Sequence, residues 1–579
     1  MAAGGGWMNA SGGPMRPDSL PDDIDLLVLG AGAAGLTAAL VGTLSGLRVL
    51  LCEASQQVGG TTATSAGTVW VPGNTPGREA GYGDTVAAAE RYLQALAGAD
   101  TDGARSAFLA RAPEAFDFLL AEGGIPFVPA ALHPDYLEAP GAARSGRAMA
   151  PPPFDGRLLG RDFARVRAPL PSFMVLGSMM VGKDDVQRLL RRYASLRDFL
   201  YAARLAGRWA VDRLRYPRGT RLVMGNALVA RLLHANLARG TAVRYGVRAS
   251  SLLRAQGRVC GAQFVLPDGT QARVRAHRGV VLATGGFGQG AAWRRRLLGR
   301  LADIRSLVFE GNQGDGLALA GELGGAVETA HHAPAAFWQP VSVMPQQRGR
   351  EALFPHLAMD RGKPGLIAVL PDGRRFVNEG ASYHHFVEAM IAADPSGRTP
   401  AWLICTEGFV RRYGLGAIRP GTRSLDRHVR SGYLLREASV AALARRAGID
   451  ADALDATLRS YNAHARQGED PAFGKGHTVL SRFNGDAGHT PNPGLAPIEQ
   501  GPFCAMQVWA ADAASGAGLR TDAHARVLDA HGTPIEGLYA CGNDMASVMG
   551  SAYPGPGITL GPAMTFGYVA ARHAAQAGG

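Results

Sequence analysis

Two glycine-rich segments, one near each end of the chain, hold residue types suited to binding chemistry. The first, Gly30-Ala-Gly32-Ala-Ala-Gly35, is a G-x-G-x-x-G pattern that follows the apolar run 24–29 and precedes helical periodicity over 36–47. Two such glycines let a backbone approach a pyrophosphate, the third lets a helix pack on a strand, and the helix N-terminus adds partial positive charge. Glu53, 18 residues beyond Gly35, closes a second apolar run where a carboxylate would accept hydrogen bonds from a ribose. This order predicts a dinucleotide site. The second segment, 549–567, is a glycine and proline loop feeding a helix, with Tyr553 at its mouth. Bare backbone N–H groups in such a loop can bond a flavin ring edge or a developing oxyanion. By residue type alone, a tyrosine there reads as a packing aromatic rather than a catalyst.

Between these segments, Gly59-Gly60-Thr61-Thr62 and Ser65-Ala66-Gly67 offer a second small-residue stretch for a long, bent cofactor, which suits FAD better than NAD. Two later strand-and-glycine turns are Ala283-Thr284-Gly285 and Gly542-Asn543-Asp544. The candidate cofactor contacts are Gly30, Gly32, Ala34, Gly35, Glu53, Ala54, Gly60, Thr61, Thr62, Ser65, Ala66, Gly67, Arg248, Ala283, Thr284, Gly285, Gly542, Asn543, Asp544, Gly557, Thr559 and Leu560. Residues 58–65 contain no histidine, so non-covalent FAD is expected.

Composition narrows the remaining classes. At 579 residues the chain has room for more than one domain, and 46% apolar residues exclude wholesale disorder. The 78 glycines show no three-residue period, which excludes collagen. The formal charge is +12, yet only three of the 60 basic residues are lysines (Lys183, Lys363, Lys475), and basic residues are not massed with aromatics. No nucleic-acid partner is expected. Five scattered cysteines, without a C-x-x-C pair or a histidine cluster, predict free thiols in a reducing compartment and no metal. No apolar run reaches the ~18 residues of a membrane span. The expected location is cytoplasmic, at most peripheral on the inner face of the cell membrane.

The elements that must position these residues suggest an α/β fold: a discontinuous Rossmann-type FAD-binding domain with an inserted α+β catalytic cap domain. Residues 1–22 read as a disordered lead-in, 23–290 as the first part of the FAD-binding domain, 291–500 as the cap and 501–579 as the second part. A basic helical insertion falls at about 160–220. Within it, 186–216 carries Arg188, Arg191, Arg192, Arg197, Arg204, Arg208, Arg213 and Arg215 against Asp198 and Asp212, with apolar residues at helical spacing. This pattern suits an interfacial helix on a membrane, or a helix packed on the flavin domain or on another subunit.

Three motifs together resemble the 3-ketosteroid Δ1-dehydrogenases of the fumarate reductase and succinate dehydrogenase flavoprotein superfamily. They are the N-terminal fingerprint with Val58-Gly59-Gly60-Thr61-Thr62, Arg374-Arg375-Phe376-Val377-Asn378-Glu379 running on to Tyr383, and the Tyr553-Pro-Gly-Pro-Gly557 segment. The resemblance covers nearly the whole chain after residue 22. It implies FAD-dependent introduction of a C1–C2 double bond into the A-ring of a 3-ketosteroid, by loss of a C2 proton and transfer of hydride from C1 to flavin N5. It also implies three catalytic tyrosines and a glycine, here Tyr553 and Gly557 as oxyanion donors, Tyr383 as base and Tyr136 as its hydrogen-bonded relay. The electron acceptor stays open. The sequence departs from the family in the basic stretch and at Ser515-Gly-Ala-Gly518, where many members carry Gly-Thr-x-Gly-Gly.

Three rival readings share parts of this pattern. A fumarate-type reductase would clamp two carboxylates with arginine and histidine, for which His384 and His385 are available. A Δ4-type ketosteroid dehydrogenase is implied by its family pattern to place a serine near the C-terminal tyrosine, where Pro554 and Gly555 stand here. A carrier with a degenerate flavin fold, like the GDP-dissociation inhibitors, predicts eroded flavin contacts, whereas Gly30, Gly32, Gly35, Glu53, Gly60 and Gly286 all remain.

Overall fold

The computed structural model describes residues 20–577, except 99, 101, 102, 267, 330–334, 348, 349 and 358. Most of the expected lead-in, 1–19, therefore lies outside the described residues. Strand β1 (Asp23–Leu29) leads through the glycine turn into α1 (Ala33–Leu44) and then β2 (Val49–Glu53), all of whose residues are buried. Strands covered on both faces need no polar alternation, which is why 26–29 and 49–52 are unbroken apolar runs. Two helices, α2 (Lys183–Leu190) and α3 (Leu196–Asp212), occupy the basic stretch. The continuous helix suggested by the spacing is broken because the Ser195 hydroxyl accepts from Asp198 N at 3.1 Å and caps a new start.

Strands β3 (Ala242–Tyr245), β4 (Arg248–Ala255), β5 (Arg258–Val265) and β6 (Gln271–Leu282) complete one sheet in the order β3-β2-β1-β6-β5-β4. β1 runs parallel to β2 and β6, while β4, β5 and β6 form an antiparallel ribbon. A second, mostly antiparallel sheet is built from β7 (Ala336–Gln347), β8 (Arg350–Pro355), β9 (Leu366–Val369), β10 (Ala401–Thr406) and β11 (Phe503–Ser515), in the order β8-β7-β11-β10-β9. Helix α4 (Tyr383–Ala393) packs against β7. Strand β11 lies past the boundary expected at residue 500, yet it pairs with β7 and β10 in the second sheet. The chain then returns to the first sheet, where β12 (Pro534–Ala540) pairs with β6 in parallel, and ends in α5 (Leu560–Gln576).

Close approach explains two glycines. Gly30 has φ +102°, and a Cβ there would lie 2.2 Å from the Ala283 carbonyl oxygen, so the β1 and β6 ends could not meet. A Cβ at Gly567 would lie 2.6 Å from Ala34 O, where α5 crosses α1. All five cysteines are free thiols. Among the described residues no helix is long and apolar enough to cross a membrane.

Candidate active site

One cavity of about 530 Å³ opens where the carboxyl ends of β1 and β6 meet the second sheet. Of the candidate cofactor contacts, all but Gly35 and Asp544 line it, and Tyr136, Tyr383 and Tyr553 line it too. The two exceptions have structural work. A Cβ at Gly35 would lie 1.8 Å from Gly30 O, so this glycine lets α1 seat on the first turn. Asp544 is fully buried behind the wall, where it accepts from Thr284 N, from Thr284 Oγ1 at 2.9 Å and from Gly286 N at 2.9 Å. It shapes the second glycine turn rather than facing a ligand, and burial raises its carboxyl to about 6.

The lining fits a dinucleotide. A Cβ at Gly32 would meet only Thr62 Oγ1, at 3.8 Å, and one at Gly60 only Phe309 Cδ1, at 4.0 Å, so both backbones border open space. Glu53 is held in place by Ala31 N and Ser55 N, each at 2.9 Å. Arg248 is half exposed and paired with Asp315 at 2.8 Å on the same wall. Thr61 Oγ1 accepts from Phe309 N at 2.9 Å, tying the small-residue stretch to a loop that sequence reasoning did not single out.

The tyrosines come from three distant segments. Tyr383 opens α4, whose start is fixed by Ser382 accepting from His385 N. Tyr553 sits in the loop before α5, and Tyr136 is tied to that loop by its N–H donating to Pro554 O at 2.8 Å. The Tyr383 and Tyr553 hydroxyls lie 2.7 Å apart. The Tyr136 ring stacks on Tyr553 with centroids 5.7 Å apart and meets Tyr383 edge-on, also at 5.7 Å. Burial pushes all three hydroxyls above their ordinary range. Gly557 has φ +92°, and its carbonyl accepts from Trp70 N and Gly561 N. Its own N–H has no partner among the described residues and borders the cavity.

A brace that sequence reasoning missed holds the Tyr136 loop. Asp135, next in the chain, accepts from Trp70 Nε1 at 2.8 Å and pairs with Arg147 at 2.6 Å, and Arg147 also pairs with Asp84 at 2.7 Å. All three charged side chains are almost wholly buried. His384 and His385, the clamp a fumarate-type site would use, do not line the cavity.

Comparison with known proteins agrees with this geometry. Residues 25–560 match the family described as FAD binding domain. A 3-oxosteroid 1-dehydrogenase of Mycobacterium tuberculosis (strain ATCC 25618 / H37Rv) is 34% identical over 96% of this chain and 99% of its own length. The chain belongs to the 3-ketosteroid Δ1-dehydrogenase family of FAD-binding proteins. A crystal structure of a family member, the 3-ketosteroid delta1-dehydrogenase from Sterolibacterium denitrificans in complex with 1,4-androstadiene-3,17-dione, superposes with a TM-score of 0.87 at 34% identity. It covers 96% of this chain and 100% of its own. A 4-oxocyclohex-2-ene-1-carboxylate 5-dehydrogenase of Sinomonas cyclohexanicum is 38% identical, over 95% of this chain and 94% of its own length.

Proposed function

We infer that this chain is an FAD-dependent 3-ketosteroid Δ1-dehydrogenase. The observation that carries the reading is the convergence of Tyr136, Tyr383 and Tyr553 in the cavity shared with the dinucleotide segments. A carbon acid beside a ketone ionises only if its carbonyl oxygen is held by donors as it becomes enolate-like. Tyr553 O–H and Gly557 N–H supply those donors. Tyr383 then takes the C2 proton, with Tyr136 as its relay, and the C–H electron pair moves into the forming enolate. When bound, FAD would supply the two-electron acceptor for the hydride lost from C1. Gly30 and Gly32 would hold its pyrophosphate, Glu53 its ribose, and the cavity walls exclude water. The test is dehydrogenation of 4-androstene-3,17-dione with an artificial acceptor, where the product should be lighter by two hydrogens at C1 and C2.

A second reading is a monocyclic 4-oxo acid as substrate. The 38% identity to the cyclohexene carboxylate enzyme favours it, as does Lys363 on the cavity wall, which would meet a carboxylate. Comparing 4-oxocyclohexanecarboxylate with the steroid separates the two.

We place the first sheet and α5 in a Rossmann-type FAD-binding domain, interrupted by a cap that holds the second sheet. On this reading the cap extends to Ser515, because β11 is its central strand.

We further propose that the α2–α3 hairpin rests on an anionic bilayer. Tyr193, Leu196 and Leu200 are 81%, 73% and 57% exposed, and Arg197, Arg204 and Arg215 have no partner among the described residues. A steroid partitions into lipid, so docking there raises its local concentration.

A further inference from the structure

Tyr553 is buried and Tyr136 and Tyr383 are half-buried, and a fixed charge lies against the helix that Tyr383 opens. Arg361 is fully buried and does not line the cavity. Its Nη1 donates to Glu379 O at 2.7 Å, and its guanidinium lies 4.8 Å from the Phe386 ring centroid. Glu379 and Phe386 bracket Tyr383 in the chain, so the cation sits against the first turn of α4. Its Nε and Nη2 have no hydrogen-bond partner among the described residues. A buried cation with unused donors is costly to keep.

The neighbouring carboxylates are engaged elsewhere. Asp360 bonds His356 Nδ1 at 2.7 Å and accepts from Gly416 N and Arg361 N, and Glu379 is paired with Arg375 and lies 3.8 Å from Lys475 Nζ. The charged and titratable groups that face Arg361 are Asp360, Glu379, Lys475, Tyr136 and Tyr383. Its positive charge opposes the burial of the Tyr136 and Tyr383 hydroxyls. Burial lowers Arg361 only to about 10, so it stays charged at neutral pH.

We propose that Arg361 is the positioning residue for proton removal: its buried charge, held against the first turn of α4 with two donors unused, favours the phenolate at Tyr383 and Tyr136. The assignment rests on the proposed reaction only in needing a tyrosine base, whichever cyclic ketone is the substrate. In the step itself the phenolate oxygen gains the C2 proton, and the C–H pair stays with the enolate whose oxygen Tyr553 and Gly557 hold.

Arg361→Lys keeps the charge without the shape, and Arg361→Gln keeps much of the bulk without the charge. Both holoenzymes are compared with wild type for FAD content, KM, kcat and the isotope effect on ketone deuterated at C2. An opposite charge nearby shifts an ionisation by about 1–3 pH units, so Arg361→Gln should lose about 10- to 1000-fold in kcat. KM should barely move, and the C2 isotope effect should exceed that of wild type as proton removal becomes slower. Arg361→Lys should recover most of kcat. Equal losses in the two variants, or a loss confined to KM or FAD content, would overturn the proposal. If Arg361→Gln fails to retain FAD, Arg361→Lys decides alone: turnover near wild type is expected, and a loss as deep as that of Tyr383→Phe overturns the assignment. Wild-type enzyme inert toward both ketones would sink the reaction assigned above instead, whatever the variants do.

Discussion

The hydroxyl oxygens of Tyr383 and Tyr553 lie 2.7 Å apart, although the residues are separated by 170 positions in the chain. Without a ketone each satisfies the other. A carbonyl entering between them would take the Tyr553 hydrogen bond and leave Tyr383 facing the adjacent carbon. Replacing either with phenylalanine should cut kcat by about 100-fold or more, the usual scale for losing an oxyanion donor or a general base, with FAD content unchanged. Stopped-flow turnover at matched flavin absorbance measures this. A Tyr383→Phe enzyme within about threefold of wild type would remove that residue from the base role.

The pH dependence follows from burial. Tyr136 and Tyr383 are pushed above the ordinary tyrosine value of about 10, so at neutral pH both are mostly protonated and only the rare phenolate can act as base. The active fraction grows as protons are removed, so kcat should rise from neutral into alkaline pH, approaching about tenfold per pH unit. A profile that falls over this range contradicts a tyrosine base.

Arg147 carries the brace beneath Tyr136. Arg147→Met leaves Asp84 and Asp135 as unpaired buried carboxylates, a change that costs about 3–5 kcal/mol. Thermal unfolding should show a large drop in Tm. A Tm close to that of wild type would mean the two carboxylates find other partners.

Gly557→Ala places a Cβ 2.6 Å from Thr68 O at φ +92°. The loop must move, taking the free N–H with it. Turnover should fall by about 100-fold, the scale of a lost oxyanion donor. A fully active Gly557→Ala enzyme would show that this N–H is not used.

For the hairpin, co-sedimentation with anionic liposomes at low salt is the measurement. Wild type should pellet with the vesicles, and Leu196→Gln with Leu200→Gln should stay in the supernatant with unchanged activity on dissolved substrate. Equal pelleting of the two would assign the exposed ridge to something other than lipid.

Local pattern made the first βαβ unit legible, because strand, glycine turn, helix and Glu53 follow one another without interruption. The cofactor wall was legible for the same reason, each piece being a strand end with its own glycine turn. Asp544 misled because its place in the chain is beside that wall while its side chain turns inward to Thr284 and Gly286. The pairing of β11 with β7 and β10 is not legible in the sequence, because an apolar strand carries no mark of which sheet it joins. The Trp70–Asp135–Arg147–Asp84 brace was invisible, since its partners come from separate loops and an arginine in this arginine-rich chain reads as a solvated one. Arg361 escaped notice on the same ground. Tyr136 was reached through the resemblance alone, its loop having no periodicity of its own.

The most direct test of the central claim is anaerobic mixing of the oxidised, yellow holoenzyme with 4-androstene-3,17-dione, with 4-oxocyclohexanecarboxylate and, after reduction, with fumarate. The steroid alone should bleach the flavin band, and fumarate should leave the reduced enzyme unoxidised. A flavin that stays yellow with the steroid, together with reoxidation by fumarate, would contradict the assignment.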